Sequence, residues 1–144
     1  MEVIVKRFNE LGLDELYEIM KARVDVFVVE QQCPYGELDD KDQQCIHLYL
    51  KEDKLVAYLR ILPAGVSFEC VGIGRVLTLK RGEGLGNRLL SEGIKAAEEL
   101  LGATCIRLEA QCYAIGYYEK HGFKVISDEF LEDGIPHVIM ERRS

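Results

Sequence analysis

Val76-Leu77-Thr78-Leu79-Lys80-Arg81-Gly82-Glu83-Gly84-Leu85-Gly86-Asn87-Arg88-Leu89-Leu90 passes from an apolar run, through three alternating glycines, into a helical repeat. The reading is strand, turn, helix. The first turn of any helix leaves backbone N–H groups without intrahelical partners, and the helix dipole adds partial positive charge there. Gly82, Gly84 and Gly86 let the backbone curl and let anion oxygens approach without a Cβ in the way. Arg81 and Arg88 add local cations. The bland alternative is a tight strand-to-helix turn with no ligand. Two nucleotide readings fail: a P-loop needs G-K-[ST] at its end, but Gly86 is followed by Asn87-Arg88. A dinucleotide fold places its glycines after the first strand of a βαβ unit, with an acid about 20 residues on. Here the turn follows three successive antiparallel-type strands.

On the N-terminal side, residues 3–8 alternate weakly, as a strand does. Leu13, Leu16, Tyr17, Met20, Val24, Phe27 and Val28 then recur at threes and fours, predicting an amphipathic helix to about residue 29. Residues 30–45 form a polar loop with Pro34, Gly36 and an acidic cluster. Alternation over 46–51 and 55–61 around Glu52-Asp53-Lys54 predicts a hairpin. A third strand is expected over 67–79, with Gly72 and Gly74 marking a bulge or a close approach to the backbone. On the C-terminal side, Leu85, Leu89, Leu90, Ile94, Ala97 and Leu101 define a long helix with Gly102 just past its end. A strand over 104–110, a short helix over 113–121, and closing strands over 123–126 and 137–142 around a Glu132-Asp133-Gly134 turn complete the chain. The order β-α-β-β-β-α-β-α-β-β makes an α/β (α+β) layered domain with a mostly antiparallel seven-stranded sheet.

A chain of 144 residues fits a single domain over residues 1–144. No apolar run approaches the ~20 residues that span a bilayer, and Met1–Lys6 reads as a strand without signal-peptide anatomy. A cytoplasmic protein with no membrane partner is expected. Cys33, Cys45, Cys70, Cys105 and Cys112 form no C-x-x-C pair and are odd in number, so reduced thiols and no metal are expected. The net charge of -7 argues against a nucleic-acid partner. It also means that any anion site must be local.

Three stretches resemble the GNAT acetyltransferase superfamily. Arg81, Gly84 and Gly86 match its cofactor motif, a basic or amide residue followed by x-x-G-x-G. Tyr118-Glu119-Lys120-His121-Gly122-Phe123 is similar to its late Y-x-x-x-G-F signature. Val26-Phe27-Val28-Val29-Glu30-Gln31, followed by Cys33, Tyr35, Glu37, Asp39, Asp42 and His47, is similar to the ElaA-like branch. The resemblance implies helices on both faces of the sheet and a thioester seated between two splayed central strands, the one ending near Leu79 and the one over 104–110. Pantetheine would pair with the backbone of Val76, Leu77 and Thr78 as an added strand does. The pyrophosphate would lie on Arg81, Gly82, Glu83, Gly84, Leu85, Gly86, Asn87 and Arg88. The implied cosubstrate is acetyl-CoA, released as CoA. The implied partner is an amine acceptor that the sequence does not identify, with a homodimer as an open alternative.

Acetyl transfer needs a neutral amine, a stabilised oxyanion and a proton for the departing thiolate. A lysine-like amine of pKa ~10.4 is mostly protonated at neutral pH, a cost of ~4–5 kcal/mol if uncorrected. Glu109, at the end of the strand expected to line the gap, is the first candidate base; the alternative is a strand glutamate paired with a neighbouring Arg or Lys. Glu30 and His47 are reserves. Tyr118, placed by its motif, is the candidate acid, since a phenol of pKa ~10 still holds its proton at neutral pH and can donate to a thiolate of free pKa ~8.5. Tyr117 reads as packing. A backbone N–H near Val76 or Leu77 would meet the oxyanion. Glu30, Tyr35, Glu37, His47 and Arg75 are expected around the acceptor; the acids of that loop could attract an amine, and Arg75 or Arg60 could hold a carboxylate or pair with those acids. His47 also reads as a structural histidine. A non-catalytic module of the same fold that senses acyl-CoA is the competing function.

Overall fold

The computed structural model describes residues 1–144. Its strands are β1 (Glu2–Arg7), β2 (Ile46–Lys51), β3 (Leu55–Leu62), β4 (Val71–Thr78), β5 (Cys105–Gln111), β6 (Lys124–Val125), β7 (Phe130–Glu132) and β8 (Ile135–Arg143). The helices are α1 (Leu13–Val24), α2 (Leu85–Leu101) and α3 (Ile115–Glu119). They form one sheet in the order β1-β2-β3-β4-β5-β8-β6, with β7 paired to β8. Every pairing is antiparallel except β4 with β5. This is the mixed, mostly antiparallel sheet expected, with eight strands instead of seven.

The extra strand has a local cause. Asp133 and Gly134 both have positive φ (51° and 78°), and Glu132 pairs with Ile135. That is a two-residue hairpin, whose twist requires φ > 0 at both central positions. Such a turn demands a strand directly before it, so Phe130–Glu132 pairs with β8, while the expected strand over 123–126 shrinks to two residues. Two further boundaries move. Residues 64–66 form a turn and residues 67–70 bend away from it, so β4 begins at Val71. The first helix is α-helical only to Val24 and continues over Asp25–Glu30 as a π-helical segment.

Period-two alternation sends side chains to two layers. Leu48, Leu50, Leu59 and Ile61 pack beneath α2 residues Leu85, Leu89, Leu90, Ile94 and Ala97. Tyr49, Tyr58 and Leu55 face Ile19 and Ala22 of α1. The layers lie on opposite faces. Gly93 lets α2 approach the sheet, since a Cβ there would stand 2.6 Å from Leu59 Cδ2.

The strand that matters most is β4, because it changes face part-way. Val71 and Ile73 belong to the α2 layer, yet Leu77 belongs to the α1 layer. A bulge explains the switch: Arg60 opposes Gly74 but Tyr58 opposes Leu77, so β4 carries one extra residue there. Arg75 takes up the strain at φ 52°, a conformation uncommon for a side chain with a Cβ. The parallel pairing of β4 with β5 covers only Val71↔Ile106 and Gly72↔Arg107. Beyond those residues the two central strands splay apart.

Candidate active site

A cavity of about 410 Å³ opens in the splay. Ile73, Gly74, Arg75 and Val76 line it from β4, and Glu109 and Gln111 from β5. Phe27, Gln31 and Tyr35 come from the π-helical segment and the loop after it, Tyr118 from α3, and Glu132 and Asp133 from the β7–β8 hairpin. Gln111 Nε2 donates to Gln31 Oε1 at 3.3 Å, tying the loop to β5.

Glu109 and Tyr118 therefore meet in one cavity. Glu109 itself stays open to solvent; partial burial of its carboxyl, then a shared hydrogen bond and charge repulsion with Glu132, push it up to about 7. Lys41 and Arg75 pull in the opposite direction. A carboxyl near neutrality can take a proton from an ammonium and return it. Tyr118 is 8% exposed and its hydroxyl makes no hydrogen bond within the chain, leaving it free for a ligand atom. Burial pushes this phenol above its ordinary value, so it stays protonated at neutral pH.

Tyr117 is more than packing. Its hydroxyl donates to the Gly86 carbonyl at 2.6 Å, and a Cβ on Gly86 would stand 3.3 Å from its ring. Nearby, His121 Nε2 lies 3.1 Å from Asn87 Oδ1. Short α3 and the turn after it thus reach two ways: Tyr118 into the cavity, Tyr117 and His121 onto the start of α2. That start presents unpaired backbone donors to solvent. Gly82 and Gly84 are left-handed (φ 77° and 67°), and Arg81, Gly82, Glu83, Gly84, Asn87 and Arg88 are exposed. No backbone N–H from Lys80 to Asn87 donates to another backbone group. Neither Arg81 nor Arg88 has a carboxylate partner. Leu85 anchors the turn in the core, Thr78 pairs with Ala57, and Leu77 points into the α1 layer.

The residues expected around the acceptor divide. Tyr35 and Arg75 line the cavity; Glu30, Glu37 and His47 do not. Glu30 is exposed elsewhere. His47 is wholly buried and both its nitrogens are engaged, Nδ1 with the Tyr58 hydroxyl at 2.8 Å and Nε2 with the Asp42 carbonyl at 2.9 Å. Burial lowers its pKa, so it is the structural histidine and neither base nor ligand. Glu37 is sealed by Tyr35, by Arg23 at 2.8 Å and by Arg75 at 2.7 Å. It belongs to a network in which Arg23 also meets Asp42 at 2.6 Å and Arg60 meets Asp39 and Asp42. Burial alone would raise Asp39, but the bonds and charge of Arg60, with Arg75 behind it, hold it well below the carboxylate range. Glu37, Asp39 and Asp42 are thus paired in a cluster that pins the bulged strand, while Asp40 stays exposed and unpaired. Glu132 is a further site residue, one that the sequence marks only as part of a turn. The Asp133-Gly134 turn was its only signal, and nothing local said that this hairpin folds over the cavity.

The family model for the GNAT acetyltransferase domain matches residues 12–144. The chain belongs to this family. The GNAT domain is 42% identical over 145 residues to a UPF0039 protein of Schizosaccharomyces pombe, covering 97% of this chain and 95% of the relative. Among solved structures it is similar to an acyl-CoA N-acyltransferase from Pseudomonas aeruginosa, at 39% identity and a TM-score of 0.93 over 99% of each chain. It is likewise similar to Escherichia coli ElaA, at 35% identity and a TM-score of 0.89 over 99% of each chain. These likenesses put it in the ElaA-like branch of the GNAT acyltransferases. No helix is long and apolar enough to cross a membrane.

Proposed function

We propose that this protein transfers an acetyl group directly from acetyl-CoA to a primary amine, with Glu109 as base and Tyr118 as acid. The observation that carries the reading is their convergence: a carboxyl poised near 7 and an unpartnered, protonated phenol line one cavity at the splay. Glu109 takes the proton of the ammonium, the freed amine forms the C–N bond at the thioester carbonyl, and the C–S bond breaks. Tyr118 hydrogen-bonds to the departing thiolate and relays to it the proton that the nitrogen sheds as the amide forms, so CoA leaves as the thiol and the phenol is restored. The bulge at Arg75–Val76 takes backbone out of the sheet ladder beside the reacting carbonyl, which suits an oxyanion donor.

The exposed N–H groups of the α2 turn, with Arg81 and Arg88, suit the pyrophosphate, and β4 from Val76 to Thr78 suits the pantetheine arm. The test is a mixture of purified protein, acetyl-CoA and a panel of amines, followed for free thiol and for acetylated amine. Equal yields of thiol and acetylated amine support the reading. Acetyl-CoA binding with no product across the panel favours an acyl-CoA sensor.

A further inference from the structure

The cavity is charged differently at its two sides. Glu109, Glu132 and Asp133 line one side, and none of them has an ion-pair partner. Lys41, Arg60 and Arg75 line the other. There the guanidinium charges are already matched, because Arg23, Arg60 and Arg75 face Glu37, Asp39 and Asp42. Lys41 is left over. Its Nζ meets only the Ser67 hydroxyl, at 2.8 Å, and no carboxylate. Two guanidinium donors nearby are also unused. Arg60 is 3% exposed and its Nε is sealed from solvent with no partner. That nitrogen lies 3.9 Å from where a Cβ on Gly74, in the cavity wall, would stand. Arg75 spends Nε and Nη2 on Glu37 and Asp39, and Nη1 on nothing.

Unpaired acids on one wall and an unpaired cation with a spare donor on the other select a ligand carrying both charges. The geometry points to an acceptor that is a small zwitterion: an amine whose ammonium docks at Glu109, Glu132 and Asp133, and whose carboxylate is held by Lys41 with the free Nη1 of Arg75. This rests on the acetyl-transfer reading above and names its substrate class. A diamine would set a second cation against Lys41, and a neutral tail would leave Lys41 and the Arg75 donor unanswered. The cavity volume of about 410 Å³ suits an amino-acid-sized ligand, at the small end of ligand pockets.

The test is calorimetric binding of β-alanine, 4-aminobutanoate and 6-aminohexanoate to the CoA-loaded protein, each beside its own amide and the matching diamine. For at least one chain length the carboxylate form should bind about tenfold tighter than its amide, the worth of one charge-assisted hydrogen bond. Lys41→Met should cut that ratio to near one. A diamine or amide that binds as tightly as the carboxylate form overturns the proposal, as does a ratio that survives Lys41→Met, or no binding across the series. Thiol release with acetyl-CoA, followed in parallel, separates the two ideas. Tight zwitterion binding without turnover would sink the transfer reading and leave the ligand class standing. Turnover of diamines in preference to zwitterions would do the reverse.

Discussion

Replacing Glu132 with Gln should move the acidic limb of the pH–rate profile downward while its shape is kept. Glu109 acts as base only when ionised, so kcat/KM should rise with pH through about 7, the value to which it is pushed from an ordinary 4.5. Burial is the first cause of that elevation and Glu132 the second, so Glu132→Gln should leave the limb above 4.5. Loss of one neighbouring negative charge is worth about one pH unit. Near pH 6, with each profile scaled to its own plateau, the ionised fraction should then rise from about a tenth to about a half. Deprotonation of the amine acts on both proteins alike and cancels in that comparison. The assay is thiol release from acetyl-CoA across roughly pH 5 to 9 under kcat/KM conditions. Superimposable limbs, or a limb that moves upward in the variant, would refute the pairing of these carboxyls.

Tyr118→Phe should lower kcat by about a hundredfold or more, the usual worth of a positioned acid. It should leave the melting temperature nearly unchanged, because the hydroxyl holds nothing in the fold; unchanged turnover would remove Tyr118 from the mechanism. Gly93→Ala puts a Cβ 2.6 Å from Leu59 Cδ2, and overpacking of this kind costs about 1–3 kcal/mol. A lower melting temperature is expected despite the better helix propensity of alanine, and a rise would show that the two layers give way freely. Arg23→Met leaves Glu37 with Arg75 and Asp42 with Arg60, so the carboxylates of Glu37, Asp39 and Asp42 share two guanidinium groups where there were three. A loss of about 3–5 kcal/mol should appear in denaturant unfolding, and near-neutral stability would mean that the cluster is wetter than its burial indicates.

The parts of this account legible in the sequence are those with local signals. Alternation and three-four spacing marked the hairpin β2–β3 and helices α1 and α2, and the glycines of 82–86 marked the start of α2. Gly72 and Gly74 pointed to irregularity in β4, although the bulge falls one residue later, at Arg75. What stayed hidden depends on contacts between distant segments. Nothing near His47 shows that Tyr58 and the Asp42 carbonyl will claim both its nitrogens. The charge run from Glu37 to Asp42 gave no sign that Arg23, on a helix, would be drawn inside to neutralise it. β7 is hidden for a different reason: the Glu132-Asp133-Gly134 turn is legible, but the three residues before it carry too little periodicity to read as a strand.

The most direct test is a thermal melt of the protein with acetyl-CoA, CoA and NADH, repeated with Gly84→Asp. Near a hundred times the dissociation constant, a ligand of the folded state alone stabilises by ~2.7 kcal/mol, or several degrees for a domain of this size. Both CoA species should raise the wild-type melting temperature, NADH should not, and Gly84→Asp should lose the response while still folding. No shift with either CoA species, or an equal shift with NADH, would contradict the assignment of the α2 turn as the acetyl-CoA site and the acetyl-transfer reading built on it.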